Sequence, residues 1–109
     1  MKNYKKSMFN ENDNEQYYLY QILQVIKSGK PYRRSIIYKR TSTGSSIHNH
    51  INKSVESGYL MEIEDQKHDH EKPSLKITES GFNKLKELDT EEKYRERFYS
   101  FFRFSPMIE

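Results

Sequence analysis

Residues 45–60 carry the sequence SSIHNHINKSVESGYL, and its pattern indicates the fold. Ile47, Ile51 and Val55 recur at every fourth position, a spacing typical of one face of an α-helix. Gly58 follows, and glycine is the residue that most readily ends a helix in a left-handed conformation. The sequence therefore predicts a helix that starts near the two serines and ends just before Gly58.

Beyond Gly58 the apolar residues alternate, which indicates β-structure. Residues 59–64 and 73–77 are predicted to be the two strands of a hairpin. The segment between them, residues 65–72, is wholly polar and is predicted to be the hairpin loop.

Two further helices are predicted after the hairpin. Thr78 is a good N-cap for the first of them, and we expect that helix to bury Phe82, Leu85 and Leu88. The second is predicted over residues 91–104, with acidic residues in its first turn.

Two more helices are predicted ahead of the turn at residues 41–44. The first spans about 14–28 with Asn14 as its N-cap, and the second spans about 33–40. Residues 1–14 are polar and without period, so we expect a flexible N-terminal arm.

The resulting order is helix, helix, turn, helix, hairpin, helix, helix, which is the order of a winged helix-turn-helix domain. The expected fold class is therefore mainly α with a small β-hairpin. We expect residues 15–90 to form the winged helix-turn-helix domain. Residues 91–109 would add a C-terminal dimerisation helix and tail.

Three segments carry a resemblance to known regulators. Residues 45–60 are similar to the recognition helix and following strand of MarR- and PadR-type regulators, and LKITESGFNKLKEL (75–88) resembles their junction of strand and threonine-capped helix. Ile36-Ile37-Tyr38-Lys39 resembles the second helix of small archaeal winged-helix regulators. The resemblance covers about residues 17–90 and implies a DNA-binding protein that pairs through its terminal helices. Ser54 stands where the pattern has leucine, which implies looser packing of the recognition helix.

The charge is unevenly placed along the 109 residues, whose net charge is +3. Residues 16–55 contain no acid and seven basic residues, whereas residues 56–109 contain nine basic and thirteen acidic ones. The seven are Lys27, Lys30, Arg33, Arg34, Lys39, Arg40 and Lys53. A basic segment beside an acidic one is typical of a protein that binds a polyanion. The alternative is a chance cluster on a solvated surface.

The polar residues of the predicted recognition helix are the candidate base contacts. They are Ser45, Ser46, His48, Asn49, Asn52 and Lys53. Base edges in the major groove are read by hydrogen bonds, so we expect Asn49 and Asn52 to pair with adenine edges and Lys53 to reach a guanine or a phosphate. The serines lie at the helix N-terminus, where free N–H groups favour a phosphate. The alternative is an ordinary polar helix surface.

Phosphate contacts are expected from the second helix, the turn and the hairpin loop. These candidates are Arg33, Arg34, Lys39, Arg40, Thr43, Lys67, His68 and Lys72. Such contacts set the register of a protein on DNA without reading sequence. Asp69 and Glu71 weaken the case for the loop because they repel phosphate. The alternative for the basic residues is solubility.

No catalytic or metal-binding pattern stands out. The four glycines are scattered and form no phosphate-binding loop, so we expect neither an enzyme nor a cofactor. His48 and His50 would point in different directions on a helix. His68 and His70 would share a face on a strand, but a polar loop of this kind is more often simply solvated, so no metal is predicted.

Composition excludes several classes of protein. The absence of cysteine excludes a disulfide scaffold, thiol catalysis and cysteine-ligated zinc. No apolar run reaches 18 residues, and the first residues lack the apolar segment of a signal peptide. We therefore expect no membrane association and a cytoplasmic, nucleoid-associated protein.

The last predicted helix is rich in aromatic residues. Tyr94, Phe98, Phe101 and Phe102 fall on one helical face, and a small domain has difficulty covering so many rings. We expect them to form a homodimer interface, joined by Tyr17 and Tyr18 of the first helix. The alternative is that the helix packs back onto its own domain.

The leading hypothesis is a homodimeric transcriptional regulator that binds specific double-stranded DNA. Two alternatives remain open. One is a protein-interaction or assembly module on a winged-helix scaffold. The other is a chromatin-like DNA binder without sequence preference.

Overall fold

The structure, a computed structural model, describes residues 10–42, 44–64 and 73–103, with side chains described as far as residue 100. Within these ranges the chain is mainly helical and has a small two-stranded antiparallel sheet. The elements are α1 (Glu11–Val25), α2 (Arg34–Lys39), α3 (Ile47–Glu56), β1 (Leu60–Ile63), β2 (Ser74–Ile77), α4 (Glu79–Asp89) and α5 (Glu92–Arg103). The predicted number and order of helices and strands is confirmed at this level. Residues 1–9 of the predicted arm and the hairpin loop, residues 65–72, lie outside the described residues.

The start of α1 corrects a prediction. The helix begins at Glu11 rather than near Asn14, because Asn10 and Asp13 form a reciprocal capping box. The Asp13 N–H donates to Asn10 Oδ1 at 2.7 Å, and the Asn10 N–H donates to Asp13 Oδ2 at 3.3 Å. The Asn14 N–H already makes a helical hydrogen bond, to Asn10 O at 3.0 Å, so Asn14 is not the N-cap.

Helix α3 forms as predicted. A 3-10 turn, Gly44–Ser46, leads into it, and Ile47 and Ile51 are fully buried. Ser54 is buried as well, and its hydroxyl donates to His50 O at 2.8 Å, so the polar atom is satisfied within the helix. Gly58 has φ of +85°, the left-handed conformation that was expected to end the helix.

The hairpin buries one face. Leu60 lies opposite Ile77 in the register of the two strands, and both side chains are buried. Leu75 also forms an isolated antiparallel bridge with Tyr32, in which each backbone N–H donates to the other residue's oxygen at 2.8 Å. The bridge ties the connection between α1 and α2 to the returning strand.

Thr78 joins the hairpin to α4. Its hydroxyl donates to Gly58 O at 2.6 Å and accepts from the Gly81 N–H at 3.0 Å, which confirms it as the N-cap. Leu85 and Leu88 are buried as expected, but Phe82 is 37% exposed, which corrects the prediction. Gly81 is the residue of that helical turn that faces the core. Because successive residues of an α-helix are about 100° apart around its axis, Phe82 points away from that direction.

Helix α5 packs back onto its own domain. Tyr94 is 4% exposed and Tyr17 only 2%, so both rings belong to the core of a single chain. Phe98 is half-buried and meets the ring of buried Tyr20 edge-on at a centroid distance of 5.6 Å. The expectation that these rings await a partner subunit is thereby corrected for Tyr17 and Tyr94. The side chains of Phe101 and Phe102 lie outside the description.

Candidate nucleic-acid interface

The structure places the predicted recognition residues on one side of the domain. Ile47 and Ile51 hold α3 against the core, so its polar residues are turned to solvent. All six candidates are exposed: Ser45, Ser46, His48, Asn49, Asn52 and Lys53. The serines lie in the 3-10 turn at the N-terminal end of α3, where the positive end of the helix dipole attracts anions.

Arg34 is not the free phosphate contact that the sequence suggests. Its side chain is only 10% exposed and lies between α2, α3 and β1. One guanidinium nitrogen donates to Asn52 Oδ1 at 3.3 Å, and another donates to Glu62 Oε2 at 3.3 Å in a salt bridge. Arg34 therefore contacts the Asn52 side chain on the exposed face of α3.

The remaining basic residues of the second helix are better placed for phosphate. Arg33 and Lys39 are exposed at the two ends of α2, and Arg40 is half-exposed at its C-cap. Long cations at the rim of a polar helix face suit contacts to phosphate oxygens. Four other candidates, Thr43, Lys67, His68 and Lys72, lie outside the described residues.

Lys53 leans toward α1 rather than toward the centre of the exposed face. Its ammonium lies 3.3 Å from Glu15 Oε2, and both side chains are exposed. Exposed ion pairs of this kind contribute about 1 kcal/mol or less, so the pair holds Lys53 only weakly. The predicted contact with a guanine or a phosphate therefore requires Lys53 to leave Glu15.

His50 lies on the same side of α3 as Lys53 and is half-buried. Its ring lies 4.6 Å from the ring of Tyr18, measured between centroids. Burial lowers the pKa of His50, the nearby charge of Lys53 lowers it further, and Glu15 opposes both effects. The pKa direction indicates a neutral imidazole that packs against α1.

Gln21 is a positioning residue that the sequence reasoning missed. It is fully buried in α1, and its side-chain oxygen accepts two hydrogen bonds from Ser42, in the turn between α2 and α3. The signal was present, because a glutamine stands directly between Tyr20 and Ile22 in the buried part of the helix. Gln21 thus connects α1 to the turn that precedes α3.

Glu56 was also missed. It is exposed on α3, one turn after Asn52, so a negative charge lies at the C-terminal end of the polar face. The position follows from helical spacing alone. In helix-turn-helix proteins the N-terminal residues of the recognition helix contact the bases. Glu56 lies at the opposite end of α3 from those positions.

A cleft lies between α1, α3 and α4. Its volume is about 180 Å³, and Ser54, His50 and Lys84 are among its lining residues. Ligand pockets usually occupy about 300–1,000 Å³, so this cleft is small for a ligand site. The described residues contain no group of three side chains able to hold a metal ion.

No helix among the described residues has the length and apolar character needed to cross a bilayer. Comparison with known proteins finds no matching family model, no matching curated protein and no matching solved structure.

Proposed function

We propose that this chain is a winged helix-turn-helix protein that binds double-stranded DNA as a homodimeric transcriptional regulator in the cytoplasm. One observation carries the proposal. The exposed face of α3 is polar from Ser45 to Asn52, and it is bordered by the exposed cations Arg33 and Lys39 and the half-exposed Arg40. Hydrogen-bonding groups bordered by cations are what a duplex requires of a binding surface.

The arrangement of elements supports the winged-helix part of the proposal. Two helices and a turn precede α3, the hairpin follows it directly, and α4 begins where the hairpin ends. The bridge between Tyr32 and Leu75 attaches the connection before α2 to the hairpin. Helix α3 packs against α1 and β1 while its polar side faces solvent.

Two kinds of contact contribute to DNA binding in this proposal. Asn49 and Asn52 read base edges in the major groove, and the cations around α2 contact phosphates. The hairpin loop would lie near the backbone or the minor groove. Because cations displace counterions from DNA, the affinity falls steeply with salt.

The test is duplex affinity measured by fluorescence anisotropy at several salt concentrations. We expect a linear fall of log affinity with log salt, and tighter binding to a sequence enriched from a random pool than to the pool itself. No binding at low salt, or an affinity that does not respond to salt, would overturn the proposal. Equal affinity for the enriched sequence and the pool would favour a chromatin-like binder without sequence preference.

The homodimer is proposed through the exposed part of α5. Tyr99 is 57% exposed, whereas its neighbour Phe98 is half-buried against the core. Tyrosine suits a protein contact because its ring offers apolar area and its hydroxyl offers a hydrogen bond. The same observation favours the second candidate, a module that binds a different protein. Light scattering of the purified chain separates the two, because a stable dimer supports the regulator and a monomer supports the module.

A further inference from the structure

The contact between Arg34 and Asn52 determines which way the Asn52 carboxamide points. Arg34 Nη1 lies 3.3 Å from the Asn52 side chain. A guanidinium has five N–H donors and no acceptor, so the atom that faces it must be the amide oxygen Oδ1. The Nδ2 group, with its two N–H donors, therefore lies on the side of the carboxamide that is turned away from Arg34.

Arg34 is itself held in place. Its side chain is 10% exposed, and a second guanidinium nitrogen is paired with Glu62 of β1 at 3.3 Å. The three residues come from α2, α3 and β1, so the orientation of the amide depends on the packing of three elements. A side chain that is positioned by a buried, paired arginine loses little freedom on binding.

We infer that Asn52 offers N–H donors to DNA and therefore prefers guanine to adenine at the base pair it meets. The inference rests on the proposed function. An asparagine that recognises adenine must accept from N6–H₂ through its oxygen while it donates to N7. Arg34 occupies one of the two acceptor positions of Oδ1 and holds this oxygen on the side of the carboxamide that faces the domain, so the adenine N6 donor meets the Nδ2 donor on the outward side. Guanine presents O6 and N7, both acceptors, to the same group. This replaces the expectation from sequence that Asn52 pairs with adenine.

The first test needs no DNA. A double-mutant cycle on the full chain compares the urea unfolding of Arg34→Met, Asn52→Ala and the double variant with the wild type. We expect the two single effects to be non-additive, and the pair Arg34→Met and Asn49→Ala to be additive as the matched control. Additive effects for Arg34 and Asn52 would show that the contact is absent and would overturn the inference whether or not the protein binds DNA.

The second test is selection from a pool of randomised duplexes. The base pair read by Asn52 is the one whose preference disappears in Asn52→Ala and persists in Asn49→Ala. We expect the wild type to select guanine over adenine there by about tenfold, the discrimination of one good contact pair, and Arg34→Met to lose most of that ratio in favour of adenine. Glu62→Gln keeps the shape of the side chain but removes its charge, and so weakens the salt bridge to Arg34. It should lower the ratio of guanine to adenine in the same direction, and it replaces Arg34→Met as the test if that variant does not fold.

Two results would contradict the inference while leaving the proposed function intact: wild-type selection of adenine at that base pair, or an unchanged ratio in both Arg34→Met and Glu62→Gln. Failure of the wild type to bind any duplex at low salt would overturn the proposed function, and the reading of guanine with it. The double-mutant cycle would still report whether the Arg34–Asn52 contact forms. The two failures are therefore distinguishable.

Discussion

Gln21 and Ser42 are joined by two hydrogen bonds. The Gln21 side-chain oxygen accepts from the Ser42 backbone N–H at 2.8 Å and from the Ser42 hydroxyl at 3.0 Å. The glutamine is fully buried in α1, and the serine lies in the turn before α3. This contact joins the turn before α3 to the buried part of α1, in addition to the packing of Ile47 at the start of α3.

Gln21→Ala should destabilise the fold by about 1–3 kcal/mol, because the Ser42 N–H and hydroxyl lose their acceptor in a partly buried site. The measurement is the free energy of unfolding in urea. Gln16→Ala, a half-exposed glutamine on the same helix, is the matched control and should change little. Equal effects of the two substitutions would contradict the structural role of Gln21.

Gly81→Ala should destabilise the protein by about 1–3 kcal/mol, the usual cost of overpacking. A Cβ atom at this position would meet the backbone oxygen of Tyr59 and approach Ile77 Cγ1 to 2.7 Å. Since the backbone oxygen cannot move away as a side chain end can, the junction of α3, the hairpin and α4 must shift. Thermal unfolding compares this variant with Ser80→Ala, an exposed neighbour in the same turn. A Gly81→Ala protein as stable as Ser80→Ala would show that the junction is looser than described.

Asp13 should make the docking of α5 sensitive to acid. Its carboxylate accepts from Lys93 Nζ at 3.0 Å, and this hydrogen bond is the main cause of its lowered pKa. The backbone N–H of Asn10 and the hydroxyl of Tyr94 lower the pKa further, and burial opposes them. A carboxyl whose pKa is lower in the folded state stabilises the fold above its unfolded pKa, and this contribution is lost as the pH falls below about 4.

Asp13→Asn should therefore lower stability at neutral pH and remove part of the fall in stability between about pH 5 and pH 2. Unfolding in urea across this range measures both effects. Glu11→Gln, an exposed acid in the same first turn, is the control. A pH profile of Asp13→Asn that matches the wild type would exclude this coupling between α1 and α5.

The His50 imidazole should titrate below the usual histidine range. Lys53→Gln should raise the pKa of His50, because a nearby positive charge is removed, and Glu15→Gln should lower it. Burial, the largest cause of the lowered pKa, persists in both variants. Since the unfolded chain binds the proton more readily, the stability contributed by neutral His50 is present above about pH 6.5 and is lost as the pH falls from there toward the folded pKa. NMR titration of the ring protons measures the pKa, and equal shifts in both variants would contradict the electrostatic assignment.

Contacts to phosphate and contacts to bases should respond differently to substitution. Lys39→Gln and Arg40→Gln should weaken binding to all duplexes alike, and each should reduce the slope of log affinity against log salt by about 1.8 per bound dimer, because one phosphate contact worth about 0.9 is lost in each protomer. Asn49→Ala should instead reduce discrimination between sequences while leaving the slope unchanged. Lys86→Gln, on the exposed surface of α4, is the control for a cation outside the interface. If all variants changed the salt slope equally, the proposed division between phosphate and base recognition would be wrong.

The elements of this fold were predictable because their signals are local. The spacing of Ile47 and Ile51, the left-handed Gly58 and the N-cap Thr78 each act over a few residues, and the structure contains the corresponding helix, helix end and cap. The start of α1 was misjudged even though its signal is also local. Asn14 and Asn10 are both acceptable caps by residue type, and the choice depended on Asp13, which completes a capping box only with Asn10.

By itself, the sequence determined the order of helices and strands, the acid-free basic segment and the polar face of α3. Only the tertiary structure decided what individual side chains do within that frame. Arg34 was predicted to contact phosphate, but in the structure it contacts Asn52, 18 residues away. Tyr94 was predicted to lie in a dimer interface, but it lies in the core and its hydroxyl donates to Asp13, 81 residues away. The physical reason is range: periodicity and capping depend on neighbours along one helix or strand, whereas burial and hydrogen-bond partners depend on which elements pack together.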